Sequence, residues 1–541
     1  MNFRFICLFF SLSFLTNSVF SQVSGISSSN LPLVVISTNG VNIPDAFKIS
    51  GTMKIISNGP GKLNKPADPG NIYSGNIGIE IHGAYSASLP QKPYGFETRD
   101  ASGNNKDVSL FGMPEENDWI LLANYNDKTF MRNMMAFDLF RKMGHYAPRT
   151  RIVEVIVNNV YQGVYLLTEK IKRDKGRVNI TKLIATDVTG DAVTGGYIFK
   201  IDYYDSSNSW QSQYRPTGYP SKAVNYVYYD PAPDELNLTQ KNYLQMAVNS
   251  FEAKLNSSSF ADKTTGYQAW IDINSFIDYF IVNEVSRNVD GFKKSCYFFK
   301  DRNSTGGKIN AGPVWDFDWA WKNIWDCSMF QATDGSGWSY KINDCGDIYP
   351  NSNGWMVRLL QDPDFANTLH KRYFELRNSY LSFNYLQSYT DSVQNLVNEA
   401  QLRHYAKWNI LSLSVGAPEV ESQATNYAGQ VLKFGNWIKT RLTWLDGNMP
   451  GKSSPTSVNP DQSGFSYRIF PNPANEVVYL EASSEIHEID LFSNNGVKVF
   501  HQSGMLSFEA QIDISHLIPG IYFVHLKLNG NQSVNSKLIV R

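Results

Sequence analysis

The segment Pro450–Ser466, PGKSSPTSVNPDQSGFS, is rich in Pro, Ser, Gly and Asn. That composition suits a solvated linker and not a packed element. It constrains the whole chain, because 541 residues exceed what one core organises, roughly 300 residues at most. Residues 450–466 therefore divide a large unit, residues 22–449, from a small one, residues 467–541. The 49 basic and 50 acidic residues nearly cancel, leaving a net charge of −1. This balance gives no global attraction to nucleic acid or to anionic membrane.

The N-terminus carries Arg4, an apolar run from Phe5 to Leu15, and small residues near Ser21. A positive start, a short apolar stretch and a small-residue cut site predict a signal peptide over residues 1–21. The run is short for a membrane span, and no other window is long and apolar enough, so no transmembrane segment is expected in the mature chain. Beyond Cys7, the cysteines are Cys296, Cys327 and Cys345. Cys327 and Cys345 lie in a Gly/Ser/Asp-rich stretch and are candidates to pair in an oxidising compartment, whereas Cys296, in an aromatic run, reads as a buried thiol.

Period-two patterns predict strands at 31–37, 47–57, 77–83 and 119–123, a hairpin at 152–168, and a strand at 195–201. Helical periodicity marks 129–144, 238–254 and 273–289, and returns over 355–445. Strands at 295–300 and 309–315 bracket a Gly-rich turn. The large unit is thus expected to be α+β, with an antiparallel sheet first and helices later. Short strands at 477–480, 489–492, 497–500, 511–514, 520–528 and 536–540 predict a small all-β sandwich at the C-terminus.

Two carboxylates stand where a scaffold both holds and exposes a side chain. Asp290 follows a predicted helix in NEVSRNVDGFKKSCYFFK, and Asp316 ends a predicted strand in GPVWDFDWAW. Phosphoryl transfer needs one carboxylate to position or deprotonate the attacking hydroxyl and another to bind metal. Ser295 lies five positions after Asp290, and Asp318 two after Asp316; their oxygens suit a hard cation. No Gly-rich nucleotide loop or Walker A motif is present. Candidates for the phosphate side are Lys92, Arg132 at a predicted helix N-terminus, and Glu169 beside Lys170, with Glu169 able to pair with a phosphate-binding Lys. Each is equally suited to a surface salt bridge.

Six segments, GIEIHGAYSASLPQKPYGFE, DWILLANYNDKTFMRN, VIVNNVYQGVYLLTEKIK, GGYIFKID, NEVSRNVDGFKKSCYFFKD and GPVWDFDWAW, resemble in order the motifs of the CotH kinase family, the spore-coat-type atypical kinases. They span residues 77–325. The resemblance implies an atypical protein-kinase-like fold and transfer of phosphate from ATP to protein Ser/Thr, with Mg²⁺ or Mn²⁺. It matches Asp290 to the catalytic Asp and Asp316 to the metal-binding Asp. His82 stands where members often carry Arg, Gln91 replaces the first of two Lys residues, and Ser295 stands in place of Asn. These departures leave a catalytically weak or inactive surface protein that binds protein or glycan as the alternative. A two-carboxylate glycoside hydrolase is the third reading, supported by export and by Trp residues alone. Of these, Trp315, Trp319, Trp321 and Trp325 read as core, with one ring free to stack on a base or sugar.

The tail carries FPNPA at 470–474, LFSNNG at 491–496, LIPGIYFV at 517–524 and a final KLIVR. It resembles the C-terminal sorting domain of the type IX secretion system. That implies Bacteroidetes-type export, the type IX machinery as a partner, and delivery to the cell surface or the medium.

Overall fold

The computed structural model describes residues 25–452, 467–529 and 532–541. The expected signal peptide and most of the expected linker lie outside them. The chain forms two compact units, Met1–Lys452 and Ser453–Arg541.

The first unit opens with seven strands: β1 (Leu33–Ser37), β2 (Ile49–Ile56), β3 (Tyr73–Ile81), β4 (Tyr94–Arg99), β5 (Asp118–Ala123), β6 (Thr150–Val157) and β7 (Val160–Glu169). Alternate residues, Val34 and Ile36, Met53 and Ile55, Ile77 and Ile79, Trp119 and Leu121, Tyr165 and Leu167, share one buried cluster. The strands close into a barrel in the order β1-β2-β3-β4-β5-β7-β6. Closure departs from the expected antiparallel sheet, because β1 runs parallel to β6 with Leu33 opposite Glu154. It removes both edges, which would otherwise expose unpaired backbone groups. A one-turn helix α1 (Tyr85–Ser88) follows β3, and α2 (Arg132–Lys142) crosses between β5 and β6.

A second sheet, ordered β12-β11-β8-β10-β9, holds β8 (Tyr197–Ile201), β9 (Ser209–Gln211), β10 (Asn225–Asp230), β11 (Cys296–Lys300) and β12 (Ile309–Ala311). Between β10 and β11 come α3 (Leu238–Asn256) and α4 (Ile273–Val285). α3 starts on a reciprocal cap between Asn237 and Gln240. α4 is buried on all sides from Ser275 to Val285, as suits a helix at the centre of a large core. β12 stops four residues earlier than its apolar run predicts, because Gly312 takes φ +117° and Pro313 follows; proline offers no N–H to a ladder. Helices α5 (Ser328–Gln331), α6 (Trp355–Leu359), α7 (Pro363–Arg377), α8 (Phe383–Leu396), α9 (Ala400–Lys407) and α10 (Tyr427–Asn448) complete the unit. Cys327 and Cys345 are joined, and Cys296 is a buried free thiol.

The second unit contains β13 (Tyr467–Phe470), β14 (Val477–Ser493), β15 (Lys498–Asp513), β16 (Gly520–Leu528) and β17 (Gln532–Val540). All pairings are antiparallel. The short strands expected at 477–480 and 489–492 are two ends of β14, and those at 497–500 and 511–514 are two ends of β15. A register irregularity between Glu481 and Ile486 interrupts the alternation, so one bent strand reads in sequence as two. In place of two separate sheets, one hydrogen-bonded network runs through all five strands. Among the described residues, no helix is long and apolar enough to cross a membrane.

Candidate active site

α4 ends at Val285, and the next ten residues form the turn that leads to β11. Its first anchor is Arg287, whose guanidinium donates to the carbonyls of Ala332, Ser336 and Phe330 at 2.9, 2.6 and 3.0 Å. Its second is Asn288, whose Nδ2 donates to the Asp316 carbonyl at 3.3 Å. The turn then folds back on Asp290, whose carbonyl accepts from the backbone N–H groups of Lys293 and Lys294, both at 3.0 Å. The Asp290 carboxylate is left pointing into a cleft, 15 % exposed and 3.3 Å from the Lys293 ammonium.

The Asp316 segment forms the facing wall. The Phe317 N–H donates to Asn133 on α2 at 2.7 Å, and Asn126 donates to Asp318 Oδ2 at 2.7 Å. Ser295 donates from Oγ to Asp316 Oδ2 at 3.2 Å. Arg287, Ser295, Asp316 and Trp321 all have positive φ, 44°, 51°, 69° and 59°. Non-glycine residues in this region are strained, and such strain clusters at functional sites.

The cleft has a volume of about 500 Å³ and is lined by Asp290, Asp316, Asp318 and Ser295 together with Lys200, Lys293 and Lys294. Burial raises the Asp316 carboxyl well above the usual carboxylate range, and the neighbouring Asp318 and Asp290 carboxylates add to the shift. Lys294 is raised as well: burial would lower it, but Asp290 and then Asp316 hold its ammonium charged. Lys200 donates to Asp202 at 2.6 Å and lies over the rings of Tyr229 and Tyr297, 5.6 Å from each. His82 also lines the cleft; burial, then Lys170 and Lys200, depress it to about 4, so it is neutral at physiological pH.

The structure therefore gathers Asp290, Ser295, Asp316 and Asp318. It places Lys92, Arg132 and Glu169 outside this cleft. Lys92 donates to the Ala87 carbonyl at 2.8 Å, which fastens the cleft-lining turn around Tyr85 and Ser86. Gln91 is fully buried; it donates to the Gln162 and Val164 carbonyls and accepts from Asn124 N–H, a bracing role that needs an amide with both donor and acceptor. Arg132 does begin α2, but the anion there is the chain's own Asp127, 2.6 Å from its guanidinium and 2.7 Å from its backbone N–H. Glu169 is fully buried against Arg149 at 2.8 Å and Arg177 at 4.0 Å, so arginines take the place of the expected lysine partner. Lys170 faces Asp118 at 3.9 Å. Lys200, Lys293 and Lys294 take the cationic place in the cleft. Sequence reasoning missed them although each sits inside a quoted motif, GGYIFKID or VDGFKKS.

Of the four tryptophans, Trp321 is core and Trp325 is 58 % exposed. Trp315 stacks on Phe137, and Trp319 meets Tyr85 edge-on at the cleft. A hard divalent cation fits the donor set of Asp316, Asp318 and Ser295: all offer oxygen, and added positive charge would relieve the crowding of half-buried carboxylates. Among the described residues, the one trio of His, Cys, Asp or Glu side chains whose donor atoms all lie within 4.8 Å of one another is Glu488, Asp490 and His501 in the second unit. There Lys527 and Lys498 already neutralise Glu488 and Asp490, at 2.8 and 3.0 Å.

Comparison with known families gives two matches. Residues 79–445 match the family model described as CotH kinase protein. Residues 468–541 match the model described as secretion system C-terminal sorting domain. No curated protein matches the chain.

Proposed function

The chain belongs to the CotH kinase family and carries a type IX sorting domain that directs it to the cell surface or beyond, and from that premise we propose that it is a phosphotransferase acting on protein Ser/Thr with ATP. The α+β unit is read as an atypical kinase fold. The observation that carries the reading is the cleft in which Asp290 and Asp316 face Lys294. Asp290 accepts the proton of the substrate hydroxyl as its oxygen forms the new bond to phosphorus and the bond to the leaving diphosphate breaks. Lys294, Lys293 and Lys200 supply positive charge along the path of the phosphates, which in this reading replaces the roles expected of Lys92 and Arg132. Asp316 and Asp318, with Ser295, would hold Mg²⁺ or Mn²⁺, and such a cation supplies neutralisation of phosphate charge. The neutral His82 adds no further cation to the cleft.

The test is transfer of labelled phosphate from ATP to a protein acceptor with Mn²⁺ or Mg²⁺. Wild type is expected to transfer, and Asp290→Ala to lose about 10²–10⁴-fold. An inactive wild type, or undiminished transfer by Asp290→Ala, would sink the proposal. A second reading, recognition of protein or glycan without transfer, draws on the exposed aromatic side chains of Tyr203, Tyr204 and Tyr349. Glycan or protein binding with no heat on nucleotide titration would favour it.

A further inference from the structure

A second cavity, of about 520 Å³, lies between the start of α10 and the segment Trp321–Asn323. It shares no lining residue with the Asp290 cleft. Lys322 lines it and is 3 % exposed, yet its Nζ has no hydrogen-bond partner among the described residues. Its nearest counter-charge, Glu419, stays 3.9 Å away and gives its other oxygen to Lys433 at 2.5 Å. Trp321, fully buried beside it, has an equally unpartnered indole N–H. A buried ammonium and a buried indole are donors only, and leaving them unpaired is costly. Glu421, also on the wall, has one buried oxygen without a donor.

The surroundings favour the same kind of guest. α10 is 22 residues long, its Asn426 cap engages Gly429 N–H, and its first turn borders the cavity at Gly429, where the positive partial charge of a helix start lies. Leu432, Phe434 and Trp437 supply an apolar side. Arg132 reaches the wall too, but its guanidinium is committed to Asp127.

We propose that this cavity binds a small hydroxylated organic anion, its carboxylate or phosphate taken by Lys322 and Trp321 and a hydroxyl given to Glu421. Burial lowers Lys322 to about 8, and a bound anion would hold it charged. The proposal uses neither Asp290 nor Asp316 and stands apart from phosphotransfer.

The experiment titrates the full chain with D-glucuronate and glucose 6-phosphate, with glucose as the neutral control, by calorimetry. In parallel, trace acetylation followed by peptide mass spectrometry reads the reactivity of Lys322. At least one anion is expected to bind and to shield Lys322, with glucose doing neither. Lys322→Met is expected to weaken binding at least about tenfold. Leu432→Glu adds a repelling carboxylate at a position 65 % exposed, where folding is tolerant, and is expected to weaken it severalfold, so a misfolded Lys322→Met would still leave a decision. Absence of binding by both anions, equal binding of glucose, or affinity and Lys322 shielding unchanged by Leu432→Glu would overturn the proposal.

Discussion

Asp316 illustrates a carboxylate held at the expense of stability. It is crowded by burial and by the Asp318 and Asp290 carboxylates, and it holds a left-handed backbone. Asp316→Asn removes the repelled charge while keeping the shape. In chelator-treated protein this variant is expected to gain about 1 kcal/mol in urea unfolding and to lose phosphotransfer; a loss of stability would contradict the crowding described. His404 on α9 shows the opposite sign of effect. Its Nδ1 accepts the Val164 N–H at 3.0 Å, and burial depresses its pKa from 6.5 to about 3. A depressed folded-state value gives stability that is complete above about pH 6.5 and is lost as pH falls through about 3. His404→Gln keeps an acceptor and does not titrate. Its urea midpoint is expected to fall less than that of wild type between about pH 7 and about pH 4. Nothing local in the sequence around His404 marks it as buried, because its partner lies 240 residues away.

At the scale of elements, the turn that presents Asp290 depends on how α4 is anchored. Glu284, in the last turn of α4, is fully buried and pairs with Arg441 of α10 at 2.9 Å. Its oxygens also accept the backbone N–H groups of Ser339 and Tyr340 at 3.1 and 2.7 Å. Arg441 donates back to the Glu284, Gly335 and Gly337 carbonyls. Removing one partner strands a buried charge, so Arg441→Met is expected to cost about 3–5 kcal/mol in chemical denaturation. A cost below about 1 kcal/mol would show the pair to be solvated. The helices themselves were legible: α3 and α4 start where their apolar periodicity starts, at Leu238 and Ile273, because amphipathic spacing and a capping Asn or Asp are local signals. α4 ends four residues earlier than its periodicity, where Arg287 takes positive φ to reach carbonyls of the 330–336 segment. That stop is a tertiary effect, and it is what sets the position of Asp290.

At the scale of the whole molecule, each unit has its own core: that of the second includes Val478, Leu480, Ile489, Leu491, Val524 and Leu538. A chain ending at Lys452 is therefore expected to unfold at the same urea midpoint as the first unit of the full chain, and a large shift would mean that the units stabilise each other. Deleting residues 468–541 is expected to keep the protein inside the cell envelope, read by fractionation; surface delivery of the shortened chain would show that the tail is dispensable. The sequence by itself determined the two-unit plan, the strand and helix periodicities and the selection of Asp290 and Asp316 as candidates, because composition, spacing and motif order are carried by neighbouring residues. Tertiary structure alone decided barrel closure through the parallel β1–β6 pair, the commitment of Arg132 to Asp127 and of Glu169 to Arg149, and the gathering of Lys200, Lys293 and Lys294 around the carboxylates. The reason is physical: which charge neutralises which depends on distance in space, and pairs separated by up to hundreds of residues are fixed only when the core has closed around them.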